Sequence, residues 1–144
     1  MERLGLALQR VQNTFNRNVD HFARSLGLTG TQMLIIEYLT SFSTKQPIYQ
    51  KDIEHEFNIR KSTATNILHL MEQKNLISKE VDSQDTRYKE IRLTEKAVKL
   101  EKEITNYFIS SEQETEKILG SDTKKKLLAN LAKLDSALSD NKKH

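Results

Sequence analysis

The sequence predicts a mainly α-helical fold with a small two-stranded β wing, and three observations indicate this class. The chain of 144 residues contains only four glycines and one proline, although hairpin-rich sandwiches and barrels need special backbone angles at their turns. Apolar side chains recur at intervals of three and four along most of the chain, which is the period of a helix buried on one side. The period changes to two only at 77–81 and 89–93, where half-buried strands are expected.

The composition excludes several classes of protein. Without cysteine, the chain forms no disulfide and no thiolate metal site. Its longest apolar run, Met33 to Ile36, is far shorter than the roughly 18 residues of a membrane span, and its first residues lack a secretory signal pattern. No HExxH spacing, glycine-rich phosphate loop or Ser/His/Asp grouping indicates catalysis. We expect a cytoplasmic protein that is not an enzyme and has no cofactor, no bound metal and no membrane partner.

The first half of the chain predicts four helices, over residues 2–24, 29–40, 48–57 and 61–73. A capping box at Thr29 and Gln32 begins the second helix, whose apolar residues cover most of its faces and predict central burial. A polar loop follows it over 41–47. Residues 58–60 form a short break between the third and fourth helices, and Asn75 supplies a left-handed turn after the fourth.

The strands 77–81 and 89–93 form a hairpin with a polar tip, and two long helices follow. Thr94 caps a helix that runs unbroken to about residue 119, where Gly120 interrupts it. The last helix, 122–138, carries leucines at intervals of four, three and four, as in a coiled-coil seam. The final four residues, 141–144, are expected to be frayed.

The order of these elements is that of a winged helix-turn-helix. In this arrangement the second helix of the pair presents its N-terminal half to the DNA major groove, and the hairpin reaches phosphates or the minor groove. No acidic residue occurs between Glu56 and Glu72, so an anion can approach this segment. The candidate DNA-binding residues of the helix are Arg60, Lys61, Ser62, Thr63, Thr65, Asn66 and His69.

A resemblance to the MarR family of bacterial winged-helix transcription regulators is carried by residues 58–97, NIRKSTATNILHLMEQKNLISKEVDSQDTRYKEIRLTEKA. Ser62, Thr63 and Thr65 fit the family's ST-x-T pattern, and 85–87 fits its acid-x-arginine position. The wing resembles in particular a subgroup that represses multidrug efflux. Many relatives have a second arginine and a glycine where Thr86 and Ala97 stand here, so the comparison implies one wing contact to DNA fewer than in those relatives.

The resemblance implies that Arg87 enters the minor groove and that Asp85 orients it. A narrow minor groove concentrates negative potential that attracts a guanidinium, and a carboxylate two residues away can hold that group in place. The candidate DNA-binding residues of the wing are Asp85, Thr86, Arg87, Tyr88 and Lys89.

The resemblance also implies a homodimeric repressor, bound to a pseudo-palindromic operator in double-stranded DNA and controlling drug efflux or a stress response. We expect one domain over 1–144, with a DNA-binding lobe at 29–103 and dimerisation helices at 1–28 and 104–144. The dimerisation residues are expected to be Leu4, Leu8, Val11, Phe15, Leu127, Leu131, Leu134 and Leu138. A small-molecule inducer would bind between the helices and the lobe, with Phe15, Phe22, Met33, Ile36 and Tyr38 as candidate contacts.

Two alternatives remain open from the sequence. A metal-responsive regulator of the same fold could use His55 with Glu54 or Glu56, or the pair Asp20 and His21. A helical dimer could instead bind protein, in which case any affinity for DNA would not fall with salt as phosphate contacts require.

Overall fold

The computed structural model describes residues 1–82 and 84–140. Its elements are α1 (Leu4–Ser25), α2 (Gly30–Phe42), α3 (Gln50–Glu56), α4 (Lys61–Gln73), β1 (Ile77–Val81), β2 (Lys89–Leu93), α5 (Glu95–Val98), α6 (Glu101–Leu119) and α7 (Ser121–Asp140). The predicted class, mainly helical with a two-stranded wing, is confirmed. The predicted frayed end, 141–144, lies outside the described residues. The chain divides into two compact units, Met1–Ile104 and the part from Thr105 onward.

Helix α2 is the centre of the first unit, as its apolar residues predict. Met33, Ile35, Ile36 and Leu39 have no exposed surface. The other fully buried large side chains of this unit come from α3, α4, β2, α6 and the segments before α3 and β1, and they are Ile48, Ile53, Leu68, Met71, Leu76, Ile91 and Ile104. Because these elements share one apolar core, the first unit folds around α2.

The start of α2 is fixed by three hydrogen bonds. Thr29 Oγ1 accepts from the Gln32 amide and Gln32 Oε1 accepts from the Thr29 amide, both at 3.1 Å, which is the predicted capping box. Asp20 Oδ1, on α1, accepts from the Gly30 amide at 2.9 Å. A Cβ on Gly30 would overlap the Asp20 carboxylate, so this close approach of α1 and α2 requires glycine.

The end of α2 differs from the prediction. The helix continues to Phe42, two residues past Thr40, and the loop predicted to begin at 41 is wrong by that amount. Ser41 Oγ donates to the Glu37 carbonyl at 3.0 Å, and the rings of Tyr38 and Phe42 lie 5.0 Å apart. These contacts over one turn extend the helix into a polar sequence.

The ribbon has the predicted bounds. Strands β1 and β2 are antiparallel, in register from Ile77 opposite Leu93 to Val81 opposite Lys89. The Ile91 amide donates to the Ile48 carbonyl at 2.8 Å, so the ribbon is bonded through the main chain to the segment that leads into α3.

The helix predicted from Thr94 to about residue 119 is divided in two. Thr94 caps α5 as predicted, since its Oγ1 accepts from the Ala97 amide at 3.3 Å. The Leu100 amide then bonds to the Ala97 carbonyl three residues back, at 2.9 Å. This bond tightens the chain out of α-helical geometry, and α6 begins at Glu101.

The second unit consists of the rest of α6 and α7. Gly120, with φ of 86°, forms the turn between them, and Lys124 Nζ pairs with Glu112 Oε2 at 2.6 Å across that turn. Helix α7 begins at Ser121 and ends at Asp140, one and two residues beyond the predicted limits. In this unit Leu127 and Leu138 are exposed, whereas Leu131 and Leu134 are half-buried.

Candidate nucleic-acid interface

Helix α4 presents one polar, exposed face and buries the other. Ala64, Leu68 and Met71 are fully buried, which fixes how the helix is rotated on the core. The opposite face forms a shallow open depression lined by Lys61, Ser62, Thr65, Asn66 and His69. The structure therefore brings together five of the seven candidates on this helix.

The other two candidates lie at the start of α4. Arg60 is the N-cap residue and Thr63 is in the first turn, and both are exposed. The turn before them depends on Asn58, whose φ is 50°. Asparagine tolerates this left-handed backbone, and it directs the chain from α3 into α4. After α4, Asn75 has φ of 60°, as predicted.

The tip of the wing holds Arg87 in a fork. Its Nε donates to Asp85 Oδ1 at 3.0 Å and its Nη2 donates to Oδ2 at 2.8 Å. The Arg87 guanidinium lowers the pKa of the Asp85 carboxyl, and that carboxylate raises the pKa of Arg87. The Arg87 side chain is still 81% exposed. An oriented, charged and accessible guanidinium therefore stands at the tip.

The remaining wing candidates surround this pair. Thr86 lies in the turn between Asp85 and Arg87, and Lys89 begins β2; both are exposed. The Tyr88 ring lies 5.8 Å from Arg87 Cζ and 5.9 Å from Lys51 Nζ. Cations at these distances from a ring face are weakly attracted to it.

The base of the wing loop is anchored to the residue before α3. The Tyr49 hydroxyl donates to Asp82 Oδ2, and Asp82 Oδ1 accepts from the amides of Gln84 at 2.8 Å and Asp85 at 3.3 Å. The bond to Tyr49 lowers the pKa of Asp82, and Asp82 raises the pKa of Tyr49 to about 12. The ring of Tyr49 also lies 5.8 Å from that of Tyr88.

Gln50, the residue after Tyr49, contacts α4. Gln50 Nε2 donates to Thr65 Oγ1 at 2.9 Å and to the Lys61 carbonyl at 3.3 Å. Residues 48–50 thus bond to the ribbon, the wing loop and the polar face of α4. The sequence carries no short-range signal for Tyr49, Gln50 or Asp82, because their partners are distant in the chain.

The candidate inducer contacts occupy different environments. Met33 and Ile36 are fully buried in the core. Phe22 and Tyr38 are half-buried, and Phe15 is exposed. Tyr38 lies against two rings, those of Phe42 and Phe57, at 5.0 and 5.9 Å. This set remains a prediction.

The alternative metal sites receive no support from the geometry. The Asp20 carboxylate already accepts from the Gly30 amide, and His55 is exposed on α3. Within residues 1–82 and 84–140, no three histidine or acidic side chains are grouped closely enough to ligate a metal ion. In the same part of the chain, no helix combines the length and the apolar character of a membrane span.

Comparisons with known proteins agree with this geometry. A family model described as the MarR family matches residues 28–89. The transcription regulator MarR from Oenococcus oeni PSU-1 is 35% identical, with a TM-score of 0.82 over 95% of this chain and 99% of that one. Two structures of S. aureus MepR each have a TM-score of 0.85. The MepR–DNA complex is 27% identical over 96% of this chain and 99% of MepR. MepR in a DNA-binding conformation is 28% identical over 95% and 99%. The chain therefore belongs to the MarR family of transcription regulators.

Proposed function

We propose that this regulator binds double-stranded DNA, with the exposed face of α4 in the major groove and Arg87 in the adjacent minor groove. The observation that carries the proposal is the Asp85–Arg87 fork, because it holds an 81% exposed guanidinium at the tip of the wing. The polar face of α4 supplies neutral and basic side chains but no carboxylate, so it does not repel phosphates and it offers hydrogen-bond donors to base edges. The similar MepR has been crystallised as a DNA complex.

We further propose that it acts as a homodimer. On α1, Leu4, Leu8, Val11 and Phe15 are exposed, and on α7 Leu127 and Leu138 are exposed. Apolar stripes of this kind on a small chain favour burial against a second copy. A two-fold dimer would place its two α4 helices on half-sites about one helical turn of DNA apart, which corresponds to a pseudo-palindromic operator.

Repression released by a small molecule is the regulatory scheme that we propose. MepR is described as a transcription regulator of the S. aureus multidrug efflux pump MepA, and this supports the proposal that the chain controls drug efflux. An inducer can act only if it prefers a different conformation from the one that binds DNA. Phe15, Phe22, Met33, Ile36 and Tyr38 remain its proposed contacts.

The test measures binding to the duplex upstream of the chain's own gene by fluorescence anisotropy, in a salt series. We expect nanomolar affinity that falls steeply with salt, because phosphate contacts release counterions. Arg87→Ala is expected to weaken binding by roughly ten- to a hundredfold. The matched control is Arg92→Ala, since Arg92 is also paired with carboxylates on the ribbon.

Equal losses for the two arginine variants would contradict the role given to Arg87. Micromolar binding that is indifferent to salt would contradict DNA binding altogether and would favour a protein partner.

A further inference from the structure

Gln50, the first residue of α3, is bonded to the face of α4 that we propose for DNA. Its Nε2 contacts both Thr65 Oγ1 and the carbonyl oxygen of Lys61. A carbonyl oxygen can only accept, so the side-chain amide must turn its nitrogen, not its oxygen, toward α4. The Thr65 hydroxyl is therefore the acceptor in its bond with Gln50.

Thr65 differs in this respect from three other hydroxyls in the helices of the chain. Thr14, Thr40 and Ser41 each donate to the carbonyl four residues earlier, at 3.2, 2.9 and 3.0 Å. The corresponding carbonyl for Thr65 is that of Lys61, which accepts from Gln50 and, by helix geometry, from the Thr65 amide.

Both lone pairs of the Lys61 carbonyl are thus in use. Within the described part of the chain, no acceptor takes the hydrogen of the Thr65 hydroxyl. That hydrogen is available on an exposed side chain, in the depression that also contains Asn66 and His69.

We infer that Gln50 is a positioning residue that fixes Thr65 as a hydrogen-bond donor to the edge of a base. The inference rests on the proposed function of α4. A hydroxyl that accepts one hydrogen bond is polarised and donates more strongly. In the major groove guanine, adenine and thymine each present an acceptor, whereas cytosine presents only its amino donor. Thr65 therefore disfavours cytosine at one position of the half-site.

The test compares base preferences on the sequence that the wild-type protein selects from a random duplex library. Anisotropy on a panel of single-base changes gives the affinity for each base at each position. Thr65→Val has nearly the same shape but no hydroxyl, so it identifies the position that Thr65 reads. Gln50→Met is expected to reduce the discrimination against cytosine at that position by roughly 3- to 10-fold. Combining it with Thr65→Val should add no further loss.

Two other substitutions separate positioning from a structural role. Gln50→Lys retains a donor toward Thr65. Unlike Gln50→Met, it should keep the wild-type discrimination between bases, whatever it does to overall affinity. Gln50→Glu can only accept, so Thr65 should turn its hydrogen toward the new carboxylate and tolerate cytosine. The control is Gln73→Met at the exposed end of α4, and urea unfolding checks that each variant is folded.

The inference is overturned if Gln50→Met leaves the preference at the Thr65 position unchanged. It is also overturned if Gln50→Met weakens binding equally for all four bases at that position, as the loss of a phosphate contact or a folding defect would. Either result leaves the proposed function intact. A wild-type protein that selects no sequence from the library would overturn both.

Discussion

The carboxylate of Asp85 restricts the orientations of the Arg87 guanidinium in the protein without DNA. In Asp85→Ala the guanidinium keeps its charge but loses both bonds to the carboxylate. The Arg87 side chain is then mobile in the free protein, and ordering it on DNA costs conformational entropy. We expect affinity for the operator to fall by roughly 3- to 10-fold with an unchanged salt slope, because the number of cations is the same.

The matched control for this prediction is Glu90→Ala, which removes a carboxylate partner of Arg92 on the same ribbon. This variant makes the same change in charge and is not expected to weaken binding. A similar effect of both substitutions in the anisotropy assay would show that charge, and not the orientation of Arg87, matters.

A second prediction at this scale concerns pH and the bond between Tyr49 and Asp82. The pKa of Tyr49 is raised from 10.0 to about 12, so its stabilising contribution is complete below pH 10.0 and lost as pH rises through about 12. The pKa of Asp82 is lowered from 3.8, so that contribution is present above pH 3.8 and lost on further acidification. The difference in free energy of unfolding between the wild type and Tyr49→Phe should therefore be constant between pH 3.8 and pH 10.0 and decrease toward zero below and above this range.

Urea unfolding of the wild type and Tyr49→Phe over a pH series measures this difference. Phenolate absorbance should show one tyrosine titrating near pH 12 that is absent from Tyr49→Phe. A wild-type absorbance titration without a component near pH 12 would exclude the hydrogen bond in solution.

The residues of the site were predictable where their roles follow from local pattern. Arg87 and Asp85 are two positions apart, and the spacing of Thr65, Asn66 and His69 shows that they share one helix face. Tyr49 and Asp82 are 33 positions apart, so their pairing depends on how α3 and the ribbon meet in three dimensions. A tyrosine before a short helix has no feature that distinguishes this role from simple burial.

At the scale of an element, the start of α2 provides the clearest prediction. Gly30→Ala should lower the free energy of unfolding by about 1–3 kcal/mol. The new methyl group would displace the Asp20 carboxylate and leave the Gly30 amide without its acceptor. Urea denaturation measures the change.

Gly5→Ala in α1 is the control, because a Cβ there meets nothing within 4 Å. Alanine is a better helix former than glycine, so the free energy of unfolding of this variant should rise by about 0.5–1 kcal/mol. Equal stabilities of the two alanine variants would contradict the close approach at Gly30.

Element boundaries were predictable to different degrees. The ribbon has the predicted limits because a polar residue follows the apolar end of each strand, Asp82 after β1 and Thr94 after β2. The division at 99–100 was not predictable, because the sequence there contains neither glycine nor proline and its apolar spacing continues. A single bond from the Leu100 amide to the Ala97 carbonyl changes the path of the chain. Such a bond cannot be predicted from the helix propensities of the residues.

For the whole molecule, the exposed leucines of α7 predict an association that single substitutions can test. Leu127→Glu should convert a dimer at micromolar concentration into a monomer and weaken DNA binding, because a charge in a shared apolar core is costly. Ser136→Glu adds the same charge at an exposed position about half a turn from the predicted seam, and should leave the dimer intact. Analytical ultracentrifugation distinguishes the two states. A wild-type protein that sediments as a folded monomer would refute the dimer.

The hydrogen bond between the Ile91 amide and the Ile48 carbonyl has a consequence for how such regulators can diverge. A main-chain bond uses no side-chain atom, so substitutions on the exposed faces of α4 and the wing leave the ribbon attached to the segment before α3, provided that Ile48 and Ile91 stay apolar in the core. Side chains on α4 and the wing can then vary while the distance between them is inherited. New operator sequences become accessible by mutation without rebuilding the scaffold that presents those side chains.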